Sequence, residues 1–404
     1  MHALDVRDEE ARSDKARAKD QSVVRAAREE TGDFLRARET VRVLMVAGGT
    51  GGHIFPSLVV ADELRRRGER WPSTGVCFEI EFLGTTRTME SRLIPAAGFP
   101  LRRVEAAGLK GIGGWNKVRN LLLLPRTALQ TASVLRAFRP HVVVGVGGYL
   151  SGPVMLEAGL CGIPTLLMEP NARPGFTNRA LAPVVRKAAV GFERAADYYG
   201  AKAEVTGNPV RRAFFDIPAK EHRPPFTVQI VGGSQGSKAL NETVVASLPL
   251  LRVERDRLRF IHQTGERDYN VVCKAYKDQG FSAEVSSFIE DLPGAYARAD
   301  FVVSRAGATA LAELAAAGKA ALLVPFPAAT DQHQMENARV FERAGAAVVI
   351  DQGSLTPERL VREVHGLLDE PRRLVAMEGR ARSLAHPDAA ARIADMIARL
   401  AVAA

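Results

Sequence analysis

The 404-residue sequence lacks most of the features that would mark an exported, membrane-spanning or redox-active chain. It has three cysteines, Cys77, Cys161 and Cys273, which lie 84 and 112 positions apart. That spacing matches neither a Cys-x-x-Cys metal or redox motif nor a disulfide framework, so structural thiols in a reducing compartment are the expectation. No apolar run approaches the ~20 residues needed to cross a bilayer. A signal peptide is also missing, because residues 1–39 carry 9 basic and 10 acidic side chains and no apolar stretch. Those residues read as a solvated charged helix or a disordered arm. The net charge is +9, but no block of clustered Lys and Arg accounts for it. Nucleic acid is therefore a poor fit, while an anionic ligand and an anionic membrane surface explain the surplus equally well. There is no Asp-x-Asp motif of the kind that holds a metal ion beside a diphosphate.

What is present describes a globular chain of two domains. Hydrophobic residues make up 46% and charged residues 25% of the sequence, enough apolar material for two cores at this length. Val41-Arg42-Val43-Leu44-Met45-Val46 runs into Gly48-Gly49-Thr50-Gly51-Gly52, and apolar residues then recur at helical spacing up to Gly68. The same opening returns 184 residues later, where Val228-Gln229-Ile230-Val231 runs into Gly232-Gly233-Ser234-Gln235-Gly236 and a helical stretch around Leu240–Leu251. Further strand-like runs are Phe78–Leu83, Val142–Val146, Thr165–Met168, Phe260–His262, Phe301–Ser304, Ala321–Val324 and Ala347–Ile350. Strands that alternate with helices and are apolar on both faces predict two doubly wound parallel sheets. Ala213–Pro225 is the best linker candidate. Two such sheets facing one another place ligands in the cleft at their strand ends.

The first glycine loop is not a dinucleotide fingerprint. Counting from Gly49, Ile54 stands where the third glycine belongs, and the next strand ends in Gly84-Thr85-Thr86 with no acid for a ribose. What remains is a backbone nest at a helix N-terminus, suited to an anion such as a diphosphate. His53 follows that loop directly, and two roles are open to it: general base, or hydrogen-bond partner of a neighbouring carbonyl. In the second half, Ser304-Arg305-Ala306-Gly307 leads into a helix that carries Glu313 one turn beyond Thr309. A lone glutamate in an Ala-rich helix normally marks a solvated face. Here it also stands where a carboxylate can accept both hydroxyls of a ribose whose diphosphate sits on the helix N-terminus. Asp331-Gln332-His333-Gln334, after Pro325-Phe326-Pro327, adds polar groups at the end of another strand. Together these describe a nucleotide-sugar site.

With these residues assembled, the chain resembles the MurG family of bacterial UDP-N-acetylglucosamine:lipid I N-acetylglucosaminyltransferases. The likeness is carried by GGTGGHIFP (48–56), VVVGVGGYLSGP (142–153), EPNARPGFTN (169–178), GNPVR (207–211), VGGSQGSKALN (231–241), FIEDL (288–292), SRAGATALAE (304–313), PFPAATDQHQMENA (325–338) and AGAAVVI (344–350). It spans roughly residues 41–400 and leaves 1–39 outside. The resemblance implies a GT-B fold, two Rossmann-like domains facing across a cleft. It implies an N-terminal acceptor and membrane-associating domain at 40–210, a linker at 211–225, a UDP-GlcNAc-binding domain at 226–385, and a C-terminal helix at 386–404 placed to pack back on the first domain.

It further implies donor contacts at Thr50, Gly51, Gly52, Asn171, Arg211 and Ser234, along the backbone of Ala308, Thr309, Ala310, Leu311 and Ala312, and at Glu313 for the ribose. Ile289 would read uracil through its backbone, Gln334 with His333 would hold the sugar, and Tyr149, Ser151 and Asn178 would line the acceptor side. His53 is the implied catalytic base, and no cofactor or metal is implied. The reaction is an inverting transfer of GlcNAc to the C4 hydroxyl of the muramyl sugar in lipid I. The implied partners are UDP-GlcNAc, lipid I, an anionic membrane surface at the cytoplasmic face and other cell-wall synthesis proteins, with no nucleic acid. The chain departs from the family at Met168-Glu169-Pro170-Asn171, where His-Glu-Gln-Asn is usual. Trp115 with Lys110, Lys117 and Arg119 has the composition of an interfacial segment, while Leu121–Leu124 suits a core. Other readings are a different GT-B enzyme, such as a diacylglycerol glycosyltransferase or a UDP-GlcNAc epimerase, and a non-catalytic nucleotide-sugar module.

Overall fold

A computed structural model of the chain describes residues 40–48, 51–70, 77–85, 88–105, 124–329 and 332–402. The arm at 1–39, Thr50, Asp331 and the Lys110–Arg119 segment with Trp115 lie outside these residues, as do Leu121–Leu123.

Seven parallel strands build the first sheet: β1 (Thr40–Val46), β2 (Cys77–Gly84), β3 (Leu101–Arg103), β4 (Val142–Gly145), β5 (Thr165–Glu169), β6 (Lys187–Val190) and β7 (Ala203–Val205). Their order across the sheet is β3-β2-β1-β4-β5-β6-β7. Six more parallel strands build the second: β8 (Phe226–Val231), β9 (Leu258–Gln263), β10 (Ser282–Ser286), β11 (Phe301–Ser304), β12 (Ala321–Leu323) and β13 (Ala347–Val349). Their order, β10-β9-β8-β11-β12-β13, repeats the first lobe's pattern. Both sheets therefore reverse direction beside their first strand, between β1 and β4 and between β8 and β11. These are the places where a doubly wound sheet leaves a crevice for ligand.

The central strands are largely apolar on both faces because helices cover both sides. Val43, Met45, Val142, Val144 and Leu166 pack into one apolar layer, while Leu44, Val46, Val143 and Leu167 pack into the opposite one. The second sheet divides in the same way, with Val228, Ile230 and Val303 on one side and Val302 and Leu323 on the other. Helix N-termini are closed by side chains where the sequence offers them: Ser237 Oγ accepts from Leu240 N, Asp291 from Gly294 N and Thr356 from Arg359 N.

The chain crosses between the lobes twice. Residues 206–211 lead out of the first sheet, and 384–389 lead back to a last helix, Ala389–Val402, that packs on Gly51–Arg70 of the first lobe. Ile393, Ala394, Ile397 and Ala401 join the first lobe's core, and Arg67 Nη1 meets Asp395 at 2.6 Å. Gly207, at φ 75°, lies so close to His386 that a Cβ there would fall 2.2 Å from the imidazole. The segment before β8 is fastened by charge. Lys220 Nζ and His222 Nδ1 lie 2.5 and 2.9 Å from Asp300 Oδ1, and His222 Nε2 lies 3.1 Å from Glu378 Oε2. Burial opposes a charge on His222, but its bonds to the two carboxylates outweigh this and raise its pKa to about 9.

Candidate active site

A cleft of about 1400 Å³ runs between the lobes at the two reversal points. Each wall is a glycine loop followed by a helix N-terminus, and a different constraint shapes each loop. Behind β8, Gly236 (φ 73°) and Gly265 (φ 76°) interlock. A Cβ on Gly236 would meet Thr264 O at 1.9 Å, and one on Gly265 would meet Gln235 O at 2.3 Å. Only glycine permits that approach, and it leaves the backbone of 232–236 open to the cleft. Across the cleft, Gly148 (φ 82°) brings the loop after β4 against Gly48 O and the His53 ring.

His53 sits on the first turn of helix Gly51–Arg70 and lines the cleft. Its Nδ1 is 3.1 Å from Gly48 O. A carbonyl only accepts, so Nδ1 carries the hydrogen and the Nε2 lone pair is left as the basic atom. Burial, with a contribution from nearby His333, lowers the pKa of His53 and keeps the ring neutral. Of the two sequence-based roles, the carbonyl contact is present, and it fixes the tautomer that leaves Nε2 without a hydrogen.

Pro56, in the same helix, has no N–H to give to Gly52 O four residues back. That carbonyl instead accepts Thr309 Oγ1 of the second lobe at 3.1 Å. Thr309 opens helix Ala308–Ala317, whose first N–H groups point into the cleft with the positive end of the helix dipole. The free donors end early: Leu311 N already donates to Gly307 O at 3.0 Å, its side chain is in the core, and neither Leu311 nor Ala312 lines the cleft.

Glu313, one turn in, is 9% exposed and lines the cleft beside Arg211 and Tyr296. Burial pushes its pKa up to about 7, against the pull of the Arg211 charge. Arg211 is clasped between Phe55 and Phe214, with ring centroids at 5.6 and 5.1 Å. Its Nε and the Tyr296 hydroxyl are buried with no hydrogen-bond partner among the described residues. Two unmet donors beside a desolvated carboxylate make this a polar pocket chemically suited to hydroxyl groups.

Ser234, Ile289, Asn171, His333, Gln334, Gly51 and Gly52 also line the cleft. Gln334 Oε1 accepts from Phe326 N at 2.9 Å, which fixes its amide at the cleft wall. Ile289 N donates to Gln263 Oε1 at 2.9 Å, while Gln263 Nε2 donates to Gly233 O at 2.9 Å, so one side chain ties two walls together. Tyr149, Ser151 and Asn178 do not line this cleft. Ser151 is buried and donates to Gly147 O at 2.7 Å, and Asn178 is buried and donates to Glu169 Oε2 at 2.7 Å. Tyr149 packs against the first lobe's core.

Several lining residues were not singled out from sequence: Arg305, Gln263, Tyr296, Phe288 and Arg92. Arg305 is buried, pairs with no carboxylate among the described residues, and donates to Ser237 Oγ (2.6 Å), Gln352 Oε1 (2.7 Å) and Val324 O (2.9 Å). An arginine at a strand end within a glycine-rich motif was the available signal. No signal existed for Arg92 and Phe288, which come together only when the lobes do, at 5.8 Å. Among the described residues, no group of three His, Cys, Asp or Glu side chains converges as a metal set.

The chain matches the glycosyltransferase family 28 N-terminal domain over residues 43–190 and the family 28 C-terminal domain over 227–393. A relative from Myxococcus xanthus, the UDP-N-acetylglucosamine–N-acetylmuramyl-(pentapeptide) pyrophosphoryl-undecaprenol N-acetylglucosamine transferase, is 44% identical over 90% of this chain and 94% of its own length. Among solved structures, the Acinetobacter baumannii MurG crystal structure superposes with a TM-score of 0.71 at 32% identity, over 89% of this chain and 99% of that one. The UDP-GlcNAc 2-epimerase of Neisseria meningitidis, bound to UDP-GlcNAc, reaches 0.62 over 89% of this chain and 100% of that one. Its identity is 14%, which is likeness of fold alone.

Proposed function

Because the chain belongs to the family of pyrophosphoryl-undecaprenol N-acetylglucosamine transferases, we propose how its cleft divides that work. The enzyme transfers GlcNAc from UDP-GlcNAc to the muramyl sugar of lipid I. The donor lies on the second lobe, with its ribose hydroxyls on Glu313, its diphosphate on the Ala308–Ala310 backbone and Ser234, its uracil at Ile289, and its sugar by Gln334 and His333. Asn171, Arg211 and the Gly51–Gly52 backbone approach from the other side. The acceptor lies on the first lobe, beside His53.

The C4 oxygen of the muramyl sugar attacks the anomeric carbon while the bond from that carbon to the β-phosphate oxygen breaks, and UDP leaves with the electron pair. The configuration inverts from α to β. The hydroxyl proton passes to His53 Nε2. The helix N-terminus at Ala308 stabilises the charge that develops on the departing diphosphate. The observation that carries this reading is the pairing of that helix start with a desolvated Glu313 across from a neutral, correctly oriented His53.

The acceptor's polyprenyl chain requires work at a membrane surface. Among the described residues no helix is long and apolar enough to cross one, so docking is peripheral in this reading. It is supported by exposed Leu129 (73%), Leu160 (80%) and Phe176 (68%) on first-lobe helices that pack on one another, and by the Trp115 composition in the sequence. Incubation of purified protein with UDP-GlcNAc and lipid I yields UDP and a disaccharide lipid. Transfer to diacylglycerol, or epimerised UDP-sugar with no transfer, overturns the reading.

The raised pKa of Glu313 sets a pH dependence. Only the carboxylate accepts two hydroxyls, and protonation removes it as pH falls through about 7. UDP-GlcNAc affinity is therefore full on the alkaline side and weakens toward acid, approaching about tenfold per pH unit well below the pKa. Calorimetric titration between about pH 8 and about pH 5.5 reads this, and the slope disappears in Glu313→Gln.

A further inference from the structure

Helix His333–Arg343 reaches the cleft with His333 and Gln334, and one turn later it carries a buried side chain that no sugar contact accounts for. Asn337 is 0% exposed, and its amide is plugged into the opposite lobe. Its Oδ1 accepts from Ala172 N at 2.8 Å, and its Nδ2 donates to Asn171 Oδ1 at 3.1 Å and to Ala306 O of its own lobe at 3.3 Å. Asn171 is held from behind in turn. Glu169, 1% exposed at the end of β5, accepts Asn171 N at 2.8 Å and Asn171 Nδ2 at 3.1 Å on one oxygen, and Asn178 Nδ2 at 2.7 Å on the other.

The polarity of this row follows from its first member. Burial raises the pKa of Glu169 to about 7, but both its oxygens already accept N–H donors, the Asn171 backbone among them, so the Asn171 amide turns its NH₂ toward Glu169 and its oxygen toward the second lobe. That oxygen can meet only a donor, which orients Asn337 with Nδ2 toward Asn171 and Oδ1 toward the Ala172 N–H. One Nδ2 hydrogen of Asn171 remains for the cleft that Asn171 lines. Neighbouring contacts reinforce the junction: Arg194 of the first lobe pairs with Glu336, and Asn208 Nδ2 holds Pro170 O at 2.9 Å. The departure from the family at Pro170 leaves the row intact, because the bonds at this turn are made by Glu169, Asn171 and the Pro170 carbonyl, none of which needs the missing N–H.

We propose that Glu169 and Asn337 are positioning residues for transfer: they form an interlobe latch that aims Asn171 at the donor sugar and sets the lobe separation at which the acceptor reaches it. This rests on the assignment of Asn171 to the donor side of the cleft. Asn337 lies on the same helix as His333 and Gln334, so a sugar held there is coupled to closure through a rigid element.

The test uses the whole enzyme. Asn337→Asp leaves the Ala172 contact but sets an acceptor against Asn171 Oδ1 and Ala306 O. Its kcat with lipid I falls by about 10–100-fold, the worth of one or two buried hydrogen bonds, while UDP, whose ribose, diphosphate and uracil are assigned to second-lobe residues that Asn337 does not touch, binds within about twofold of wild type. The radius of gyration from small-angle scattering increases as the cleft opens. Glu169→Gln also lowers kcat, and the double variant is no worse than the weaker single one, because both act through Asn171. Asn337→Ala stands in if the aspartate variant does not fold. An unchanged kcat and radius, a parallel loss of UDP affinity, or additive effects in the double variant would each overturn the latch. Absence of transfer by the wild type would instead overturn the functional reading on which it rests.

Discussion

Glu313→Ala weakens UDP-GlcNAc binding by about 10²–10⁴-fold, the largest effect anticipated from any single side chain of the donor site. Two hydroxyl bonds to one charged acceptor, at about 1.5–3 kcal/mol each, set this range. The same substitution does not unfold the protein. Burial already holds the carboxyl at a pKa of about 7, so its removal relieves a desolvation cost, and the melting temperature stays level or rises. Titration calorimetry and a thermal melt on one preparation separate the two effects. Donor affinity equal to wild type would refute the ribose assignment, and a collapsed melting temperature would show that Glu313 serves the fold.

His53→Ala lowers kcat by about 10²–10⁴-fold, the usual contribution of a positioned general base, and leaves donor affinity close to wild type. The acid limb of the wild-type kcat profile lies below the ordinary histidine pKa, because burial depresses the value for His53. The base form is therefore fully present at neutral pH and disappears only when the medium becomes acidic enough to protonate a buried ring. Steady-state kinetics on lipid I check both statements. Full activity in the alanine variant means that the hydroxyl proton leaves to solvent and His53 is not the base.

Legibility from sequence followed the distribution of solvent. The interior strands were readable because helices on both faces leave them mostly apolar, as in Val142-Val143-Val144. Strands β3, β7 and β10 were not among the expected elements. Each lies at a sheet edge, and Leu101-Arg102-Arg103, Ala203-Glu204-Val205 and Ser282-Ala283-Glu284-Val285-Ser286 are correspondingly polar. β6, Lys187-Ala188-Ala189-Val190, is too short and too alanine-rich to stand out. Gly68 did not end its helix, which continues to Arg70; Arg65, Arg66 and Arg67 pair with Asp62 or Glu63 there and offset a glycine's cost of about 1 kcal/mol.

At the site, contiguous motifs were readable because a glycine loop and the helix after it deliver several groups from one stretch of chain. Ser304–Glu313 supplied a dipole, a hydroxyl and a carboxylate together. Contacts between lobes were not readable. Thr309 on Gly52 O, Arg92 on Phe288 and Asn337 on Asn171 join residues 257, 196 and 166 positions apart, and no local pattern announces them. Ser151 and Asn178 belong to motifs shared with the family, yet the Ser151 hydroxyl and the Asn178 Nδ2 both donate to internal acceptors. A motif records that a residue type is required, and only the fold distinguishes a ligand contact from a scaffold bond.

The double crossing between the lobes has a consequence for biosynthesis. The second lobe is in effect inserted into the first, since the helix Ala389–Val402 that completes the first core is the last described piece of the chain. During translation the second lobe has all its strands and can close its core while the first still lacks Ile393, Ile397 and Ala401. The lobe synthesised first therefore matures last, and the closing step brings His386 against Gly207. A ribosome that stops short of Ala389 releases a finished second lobe attached to a first lobe whose core lacks Ile393, Ile397 and Ala401 and stays open as an apolar groove.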